Sequence, residues 1–312
     1  MEKKEYNFHE DFKNLKNFKP PLNRICLPIF QVMMRAIIKT QKSDKNCEML
    51  QLLIPLGKKN INALLYNPIG LEKPSPLLIY FHGGGFVLPA AKHHYDYARF
   101  YAINTPCKVL LVDYPLAPKY KYPMITNASF YCFKWVVENA ALLNIDTSRI
   151  VVGGDSAGGN ISSIVCLMAS DEKLKIKPCA QMLIYPAVGT KTPTKSMKEF
   201  TDTPMCNSKD YKKYIKYYFK NKKDMESRYS SPLYIESMKI YPKTYIETAE
   251  YDCFRDEALL YADELKESGV PVIAYKTKGT MHAYDMVQDS KITQRSLNKR
   301  ADFLKSVFYH KK

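Results

Sequence analysis

The chain has 312 residues, of which 46% are hydrophobic, and this suits one large globular domain with a sizeable core. No apolar run is long enough to cross a bilayer, and the polar N-terminus is unlike a secretory signal, so we expect a cytoplasmic protein. The eight cysteines show no Cys-x-x-Cys spacing, so we expect reduced thiols and no metal site. The net charge of +16 would suit a nucleic-acid or anionic-membrane binder, but we favour the interpretation that lysines are spread over solvated faces.

The first 45 residues carry no strand pattern. Apolar residues at helical spacing begin at Leu27 and include Phe30 and Met34, with Pro28 in the first turn. We predict a helix here that either packs on the main domain or covers an active site.

Eight apolar runs have the length and the flanking turns of strands. They are residues 48–55, 61–67, 77–81, 109–112, 150–152, 182–185, 244–247 and 272–275. Helical patterns occupy residues 93–104, 125–144, 157–170, 254–268 and 290–309. The first two strands form a hairpin, and the later alternation of strands with helices predicts a mostly parallel sheet covered on both faces.

A long insertion separates the sixth strand from the seventh. Such a gap is too long for an ordinary connection and is typical of a lid. Within it, Tyr211, Tyr214 and Tyr218 recur at helical spacing with lysines between them. This pattern predicts an amphipathic helix packed on the protein rather than a platform for stacking bases, so we expect no nucleic-acid partner.

A serine lies in the sequence Gly-Asp-Ser-Ala-Gly at residues 154–158, after a predicted strand and before a predicted helix. This context is typical of a nucleophile elbow, which holds the hydroxyl of Ser156 out over the edge of a sheet. The small residues suit a strained turn, and the following helix directs its free N–H groups toward the same point. We expect Asp155 to anchor this turn by hydrogen bonds rather than to catalyse.

Three consecutive glycines follow the third predicted strand, in the sequence His-Gly-Gly-Gly-Phe at residues 82–86. Their backbone N–H groups have no side chains in the way. Acyl transfer needs such donors because the carbonyl oxygen becomes negative in the tetrahedral intermediate. Alone, the triplet would also suit a flexible turn, but ahead of a nucleophile elbow it matches the oxyanion loop of esterases.

With these motifs the chain resembles the hormone-sensitive lipase family of α/β hydrolases. The stretches that carry the resemblance follow the family's order: residues 82–86, 113–118, 154–160, 252–257 and His282. The resemblance implies the α/β-hydrolase fold, an eight-stranded, mostly parallel sheet with helices on both faces and a helical cap. Residues 1–45 and an insertion at about 189–240 would form the cap, and residues 46–312 would form the catalytic domain that contains the insertion.

A serine nucleophile needs a base, which follows the acid in the chain order of this fold. Of the six histidines, only His282 and His310 come after Ser156, and His310 is in the tail, so we predict His282. For the acid we choose Asp252, which lies in a loop after a strand and matches the position of the family's acid.

Two other carboxylates, Asp256 and Glu250, remain alternatives for this acid. The family usually has Pro-Leu after the aspartate, whereas this chain has Cys253 and Phe254.

The resemblance further implies a serine esterase that hydrolyses short to medium acyl esters, acetyl esters included, through an acyl-enzyme intermediate. Backbone N–H groups of Gly83, Gly84 and Ala157 would hold the oxyanion, and no cofactor or metal would be required. A small-molecule ester would be the partner, and a homodimer is compatible with the family. An amidase or peptidase would use the same residues, and a non-catalytic ligand-binding homologue is the remaining alternative.

Overall fold

The computed structural model describes residues 5–15, 19–189 and 193–309. Its centre is an eight-stranded sheet with the strand order β1-β2-β4-β3-β5-β6-β7-β8. The strands are β1 (Cys47–Leu56), β2 (Lys59–Pro68), β3 (Ser75–Phe81), β4 (Lys108–Asp113), β5 (Ile145–Asp155), β6 (Ala180–Ile184), β7 (Lys243–Tyr251) and β8 (Val272–Met281).

Most neighbouring strands of this sheet are parallel. β2 is the exception, because it pairs antiparallel with both β1 and β4. The hairpin of β1 and β2 turns at Gly57, whose φ of 59° lies in the left-handed region that favours glycine. The mostly parallel sheet and the hairpin predicted from the sequence are therefore confirmed.

Nine α-helices lie in the described residues. They are α1 (Cys26–Arg35), α2 (Lys92–Asn104), α3 (Met124–Glu138), α4 (Ala157–Asp171), α5 (Lys195–Glu199), α6 (Ser208–Tyr218), α7 (Lys222–Glu226), α8 (Arg255–Glu267) and α9 (Lys291–Phe308).

One predicted helix is shorter than expected. The pattern predicted a helix over residues 125–144, but α3 ends at Glu138. A run of turns follows, in which Asn144 has a φ of 51°, and β5 begins directly afterwards at Ile145. The apolar residues after Glu138 therefore belong to the turn that leads into β5, and that strand is longer than the predicted residues 150–152.

Two hydrophobic layers cover the two faces of the sheet. Successive residues of β3 alternate between them, because side chains along a strand point to opposite faces. Ile79 packs into the layer with α3, α4 and α8, whereas Tyr80 packs into the layer with α2 and α9. Burial on both faces explains why the parallel strands read as continuous apolar runs.

The N-terminal segment is hydrogen-bonded both to the insertion and to the main domain. The Tyr217 hydroxyl donates to the carbonyl of Leu22 at 2.7 Å. The Gln31 side chain, on α1, donates to the carbonyls of Val87 (2.6 Å) and Ala117 (2.8 Å). In the described part of the chain, no helix combines the length and the apolar character of a membrane span. The cytoplasmic location and the homodimer stay predictions.

Candidate active site

Ser156 stands at a sharp turn between β5 and α4. Its φ of 53° and ψ of −116° are strained for a residue with a side chain. The turn also brings the backbone against the end of β3. A Cβ atom on Gly154 would lie 2.2 Å from the carbonyl oxygen of Phe81, and one on Gly158 would lie 1.8 Å from the same atom. Both flanking positions of the motif therefore require glycine.

The structure brings Ser156, His282 and Asp252 into one hydrogen-bonded chain. His282 Nε2 lies 2.9 Å from Ser156 Oγ, and its Nδ1 lies 2.7 Å from Asp252 Oδ2. When the neutral imidazole carries its proton on Nδ1, this proton is donated to Asp252 and the Nε2 lone pair accepts from the serine hydroxyl. All three side chains are buried.

The imidazole of His282 is held by charge as well as by packing. Burial lowers the pKa of His282, but the neighbouring Asp252 carboxylate and its hydrogen bond raise it by more, to about 9. The rings of Tyr185 and Phe254 contact the imidazole edge-on, with centroids 4.8 and 5.2 Å away. The ring is therefore fixed in the orientation that directs Nε2 at Ser156.

The alternative acids lie elsewhere. Glu250 Oε2 accepts the backbone N–H of Gly279 at 2.7 Å. Asp256 forms an ion pair with Arg255 and accepts the backbone N–H of Ser196. Neither carboxylate contacts His282. The excluded base, His310, lies outside the described residues.

In the glycine loop (residues 82–88), the structure contradicts the sequence prediction at one residue. The Gly83 N–H was expected to face an oxyanion, but it donates to Asp155 Oδ1 at 3.0 Å. Gly84 and Gly85, like Ala157, line the cavity at Ser156. The prediction of Gly83 as a donor is therefore wrong, because its one N–H already has a buried acceptor.

Asp155 forms the anchor that the sequence predicted. Its Oδ1 also accepts the Tyr80 hydroxyl at 2.9 Å, and its Oδ2 lies 3.2 Å from His94 Nε2. The backbone N–H of Ala91 donates to His94 Nδ1, so Nε2 carries the proton that is donated to Asp155. Burial raises the pKa of Asp155, but the nearby histidine and the hydrogen bonds lower it by more, so the carboxyl is ionised.

His82, the first residue of the glycine motif, has a structural position. Its ring stacks on Tyr114 with a centroid distance of 4.4 Å, and its Nδ1 donates to the carbonyl of Gly83 at 2.7 Å. Burial lowers the pKa of His82 to about 3, so the ring is neutral at physiological pH. The neutral ring of His82 therefore stabilises the glycine loop through its hydrogen bond to Gly83 and its packing on Tyr114.

A cavity of about 120 Å³ opens at Ser156 and His282. Its wall is mostly apolar, and three segments outside the hydrogen-bonded chain of Ser156, His282 and Asp252 supply much of it. The glycine loop contributes Gly84, Gly85, Phe86 and Leu88; α1 contributes Phe30 and Met34; the insertion contributes Met205, Cys206, Tyr211 and Tyr214. Tyr214 rests directly on the loop, since a Cβ atom on Gly85 would lie 2.7 Å from its ring.

Comparison with known families agrees with this geometry. A family model described as the alpha/beta hydrolase fold matches residues 78–286, which include the glycine loop, Ser156, Asp252 and His282. This chain belongs to the α/β hydrolases. The resemblance to the hormone-sensitive lipase-like members of that family is thereby confirmed.

The relatives of this α/β hydrolase carry esterase names. An arylesterase of Saccharolobus solfataricus is 32% identical over 259 residues, which cover 82% of this chain and 83% of the relative. Carboxylesterase NlhH of Mycobacterium tuberculosis is 33% identical over 233 residues, which cover 73% and 72%. Among solved structures, a hyperthermophilic esterase from the archaeon Pyrobaculum calidifontis superposes with a TM-score of 0.82 at 31% identity, covering 93% of both chains.

Three contributors to the site of this hydrolase were missed in the sequence. Gly85 belonged to the triplet, but nothing in three identical residues separates those that line the cavity from the one that donates to Asp155. His94 and Tyr80 were not singled out because they reach Asp155 from 61 and 75 residues away in the chain. Two adjacent histidines at the start of a predicted helix were the available signal for His94.

Proposed function

We propose that this α/β hydrolase is a serine esterase that cleaves carboxylic esters of short to medium acyl groups through an acyl-enzyme intermediate. The observation that carries the proposal is the hydrogen-bonded chain from Ser156 through His282 to Asp252. The esterase names of relatives that share about a third of their sequence with this chain support the same chemistry.

In the first half of the reaction, Ser156 Oγ attacks the ester carbonyl while His282 Nε2 accepts its proton. Asp252 holds the imidazole in the required tautomer and stabilises its positive charge. His282 then donates this proton to the departing alkoxide, so the alcohol leaves and the acyl group stays on Ser156.

The oxyanion of the tetrahedral intermediate would accept the backbone N–H groups of Gly84, Gly85 and Ala157. The supporting observation is that these three residues line the cavity at Ser156. Ala157 is also the first residue of α4, so the positive end of the helix dipole adds to the field at this point. Losing one donor of this kind typically lowers kcat by about 10²–10³.

In the second half, His282 Nε2 takes a proton from water, and the hydroxide formed attacks the acyl carbonyl. Collapse of the second tetrahedral intermediate releases the carboxylic acid and returns the proton to Ser156. Ser156, His282, the leaving alkoxide and one water account for every proton transfer in this cycle.

The proposed preference for short to medium acyl groups follows from the cavity. Its volume is small and its lining is mostly apolar, which favours a compact acyl chain over a charged or long one. We assign the cap role to the N-terminal segment and to the insertion, because Phe30 and Met34 of the segment and Tyr214 of the insertion line the cavity.

The test is hydrolysis of p-nitrophenyl acetate, butyrate, hexanoate and octanoate by the purified protein and by Ser156→Ala. We expect turnover of the shorter esters to disappear in Ser156→Ala while the circular dichroism spectrum and melting temperature stay unchanged. A fluorophosphonate should label wild type on Ser156, as shown by peptide mass spectrometry. Undiminished turnover in Ser156→Ala, or labelling at another residue, would refute the assignment.

A further inference from the structure

The outer face of α1 carries an unpartnered apolar stripe. Ile25 is 79% exposed, Ile29 59%, Val32 70% and Met33 66%. Residues at these spacings lie on one side of a helix and form a stripe about 100° wide. Single exposed apolar residues are common, but a contiguous exposed stripe marks an interaction surface.

The opposite face of the same helix is firmly attached to the protein. Leu27 is completely buried, and Gln31 is buried with its two side-chain hydrogen bonds to Val87 and Ala117. Phe30 and Met34 line the cavity at Ser156. The exposed stripe is therefore presented from a fixed helix that forms part of the roof of the active site.

A second helix of this roof, α6, has a basic outer side. Helix α6 belongs to the same roof, since Tyr211 and Tyr214 line the cavity. Tyr217, on the same helix, links the insertion to Leu22 just ahead of α1. The outward side of α6 carries exposed lysines, Lys209, Lys212, Lys213 and Lys216, of which Lys213 forms an ion pair with Asp210 at 2.8 Å.

We propose that this face of the protein, the α1 stripe with the α6 lysines, binds the surface of an anionic lipid bilayer. The apolar side chains would enter the boundary between head groups and acyl chains while the lysines contact anionic head groups. The opening to Ser156 would then face the membrane surface, where apolar esters accumulate.

Charge decides between this occupant and a second copy of the chain. Two copies would bring two proteins of net charge +16 together, with the α6 lysines close to the contact. Like charges oppose that contact, whereas an anionic surface is attracted to it. A lipid surface also matches both chemical parts of the face, the apolar stripe and the cations.

The experiment is flotation of the full chain with phosphatidylcholine vesicles, with and without phosphatidylserine. Wild type is compared with Ile29→Glu/Val32→Glu and with a matched control, Ile69→Glu/Leu142→Glu. The control places the same charges at exposed aliphatic positions (61% and 78% exposed). Ile69 follows β2 and Leu142 precedes β5, so both lie at the edge of the sheet opposite Ser156.

We expect wild type and the control to float with the phosphatidylserine vesicles, less so at high salt, and Ile29→Glu/Val32→Glu to remain unbound. Lys212→Gln/Lys216→Gln should weaken binding by about fivefold for each lysine removed. Turnover of a soluble aryl acetate should be unchanged in Ile29→Glu/Val32→Glu. The flotation readout is independent of catalysis, so it holds or fails separately from the proposed esterase activity.

Three results would overturn the proposal. One is wild type that floats with neither vesicle. Another is Ile29→Glu/Val32→Glu that floats as well as the control. The third is a dimer, detected by light scattering without lipid, that forms in wild type and in the control but not in Ile29→Glu/Val32→Glu. This result would show that the stripe binds a second copy of the chain.

Discussion

The Asp155 carboxylate accepts the backbone N–H of Gly83 at 3.0 Å, and this hydrogen bond joins the glycine loop to the end of β5, directly before Ser156. The contact leaves no room for a side chain, since a Cβ atom on Gly83 would lie 2.1 Å from Asp155 Oδ2. The distance between the loop amides and the serine is therefore set by a carboxylate that stands outside the hydrogen-bonded chain of Ser156 and His282.

We expect Asp155→Ala to lower kcat for an aryl acetate by about 10²–10³, the loss associated with a misplaced oxyanion donor. Asp155→Asn is the matched comparison: its side-chain oxygen can still accept from Gly83 and Tyr80, and only the acceptor of His94 Nε2 is lost. This variant should retain kcat within about tenfold of wild type. Steady-state kinetics of both variants, with circular dichroism to verify folding, tests the relationship. Wild-type kcat in Asp155→Ala would contradict it.

The pH dependence of kcat/KM should follow His282. Only the neutral imidazole can accept the serine proton, and the pKa of His282 is raised to about 9 by Asp252 against the opposing effect of burial. The pH profile should therefore have an ascending limb, along which kcat/KM rises and then levels off above about pH 9. Since the folded-state pKa lies above the unfolded value, the ion pair stabilises the fold fully below about pH 6.5, and this contribution is lost as pH rises through about 9.

Replacing the acid tests the origin of that limb. Asp252→Asn removes the charge that raises the pKa of His282, so the limb should move to lower pH. The same change removes the group that fixes the tautomer, and kcat should fall by about 10³–10⁴. The pH profiles of wild type and Asp252→Asn, recorded with one aryl ester, supply the measurement. A limb that stays in place would show that another group controls it.

Tyr214 should limit the size of the acyl group. Its ring lines the cavity and rests on Gly85. Tyr214→Ala should therefore raise kcat/KM for octanoate relative to acetate by about tenfold, the scale of a few apolar contacts in a pocket. Tyr229→Ala is the control, because this tyrosine is in the same insertion but bonds to Asp171 outside the cavity. Equal chain-length profiles for the two variants would exclude Tyr214 as a determinant.

The sequence predicted the sheet well because burial on both faces leaves a strong local signal. Runs such as the one in β3 are apolar at nearly every position, and the turns between strands and helices are marked by glycine and proline. The end of α3 at Glu138 was not predicted, since the apolar residues beyond it suit a helix and a packed turn equally well.

In the site, too, some residues could be predicted from the sequence and others could not. Ser156, His282 and Asp252 could be chosen from chain order and a family pattern. That the Gly83 N–H donates to Asp155 could not be predicted, because the direction of each N–H depends on the backbone path. That path is held by Asp155, His94 and Tyr80, whose contacts span 61 to 75 residues of sequence and leave no local pattern.

Arg300 is completely buried and holds two buried carboxylates together. Its guanidinium donates to Glu247 Oε2 at 3.0 Å and to Asp285 Oδ2 at 2.8 Å. Arg300→Met would leave both carboxylates without their cation, so the free energy of unfolding should fall by about 3–5 kcal/mol in equilibrium urea denaturation. Arg295→Met, at an exposed position of the same helix, should change it by less than about 0.5 kcal/mol.

The loss in Arg300→Met should also depend on pH. Burial already raises the pKa of Asp285, although Arg300 opposes that effect, so removing the arginine raises this pKa further. A buried carboxyl whose folded-state pKa is raised binds its proton more tightly in the folded chain, and the penalty for burying it shrinks as pH falls. The stability difference between Arg300→Met and wild type should therefore be larger at pH 8 than at pH 5. A difference that is constant with pH would mean that lost packing, rather than uncompensated charge, accounts for the destabilisation.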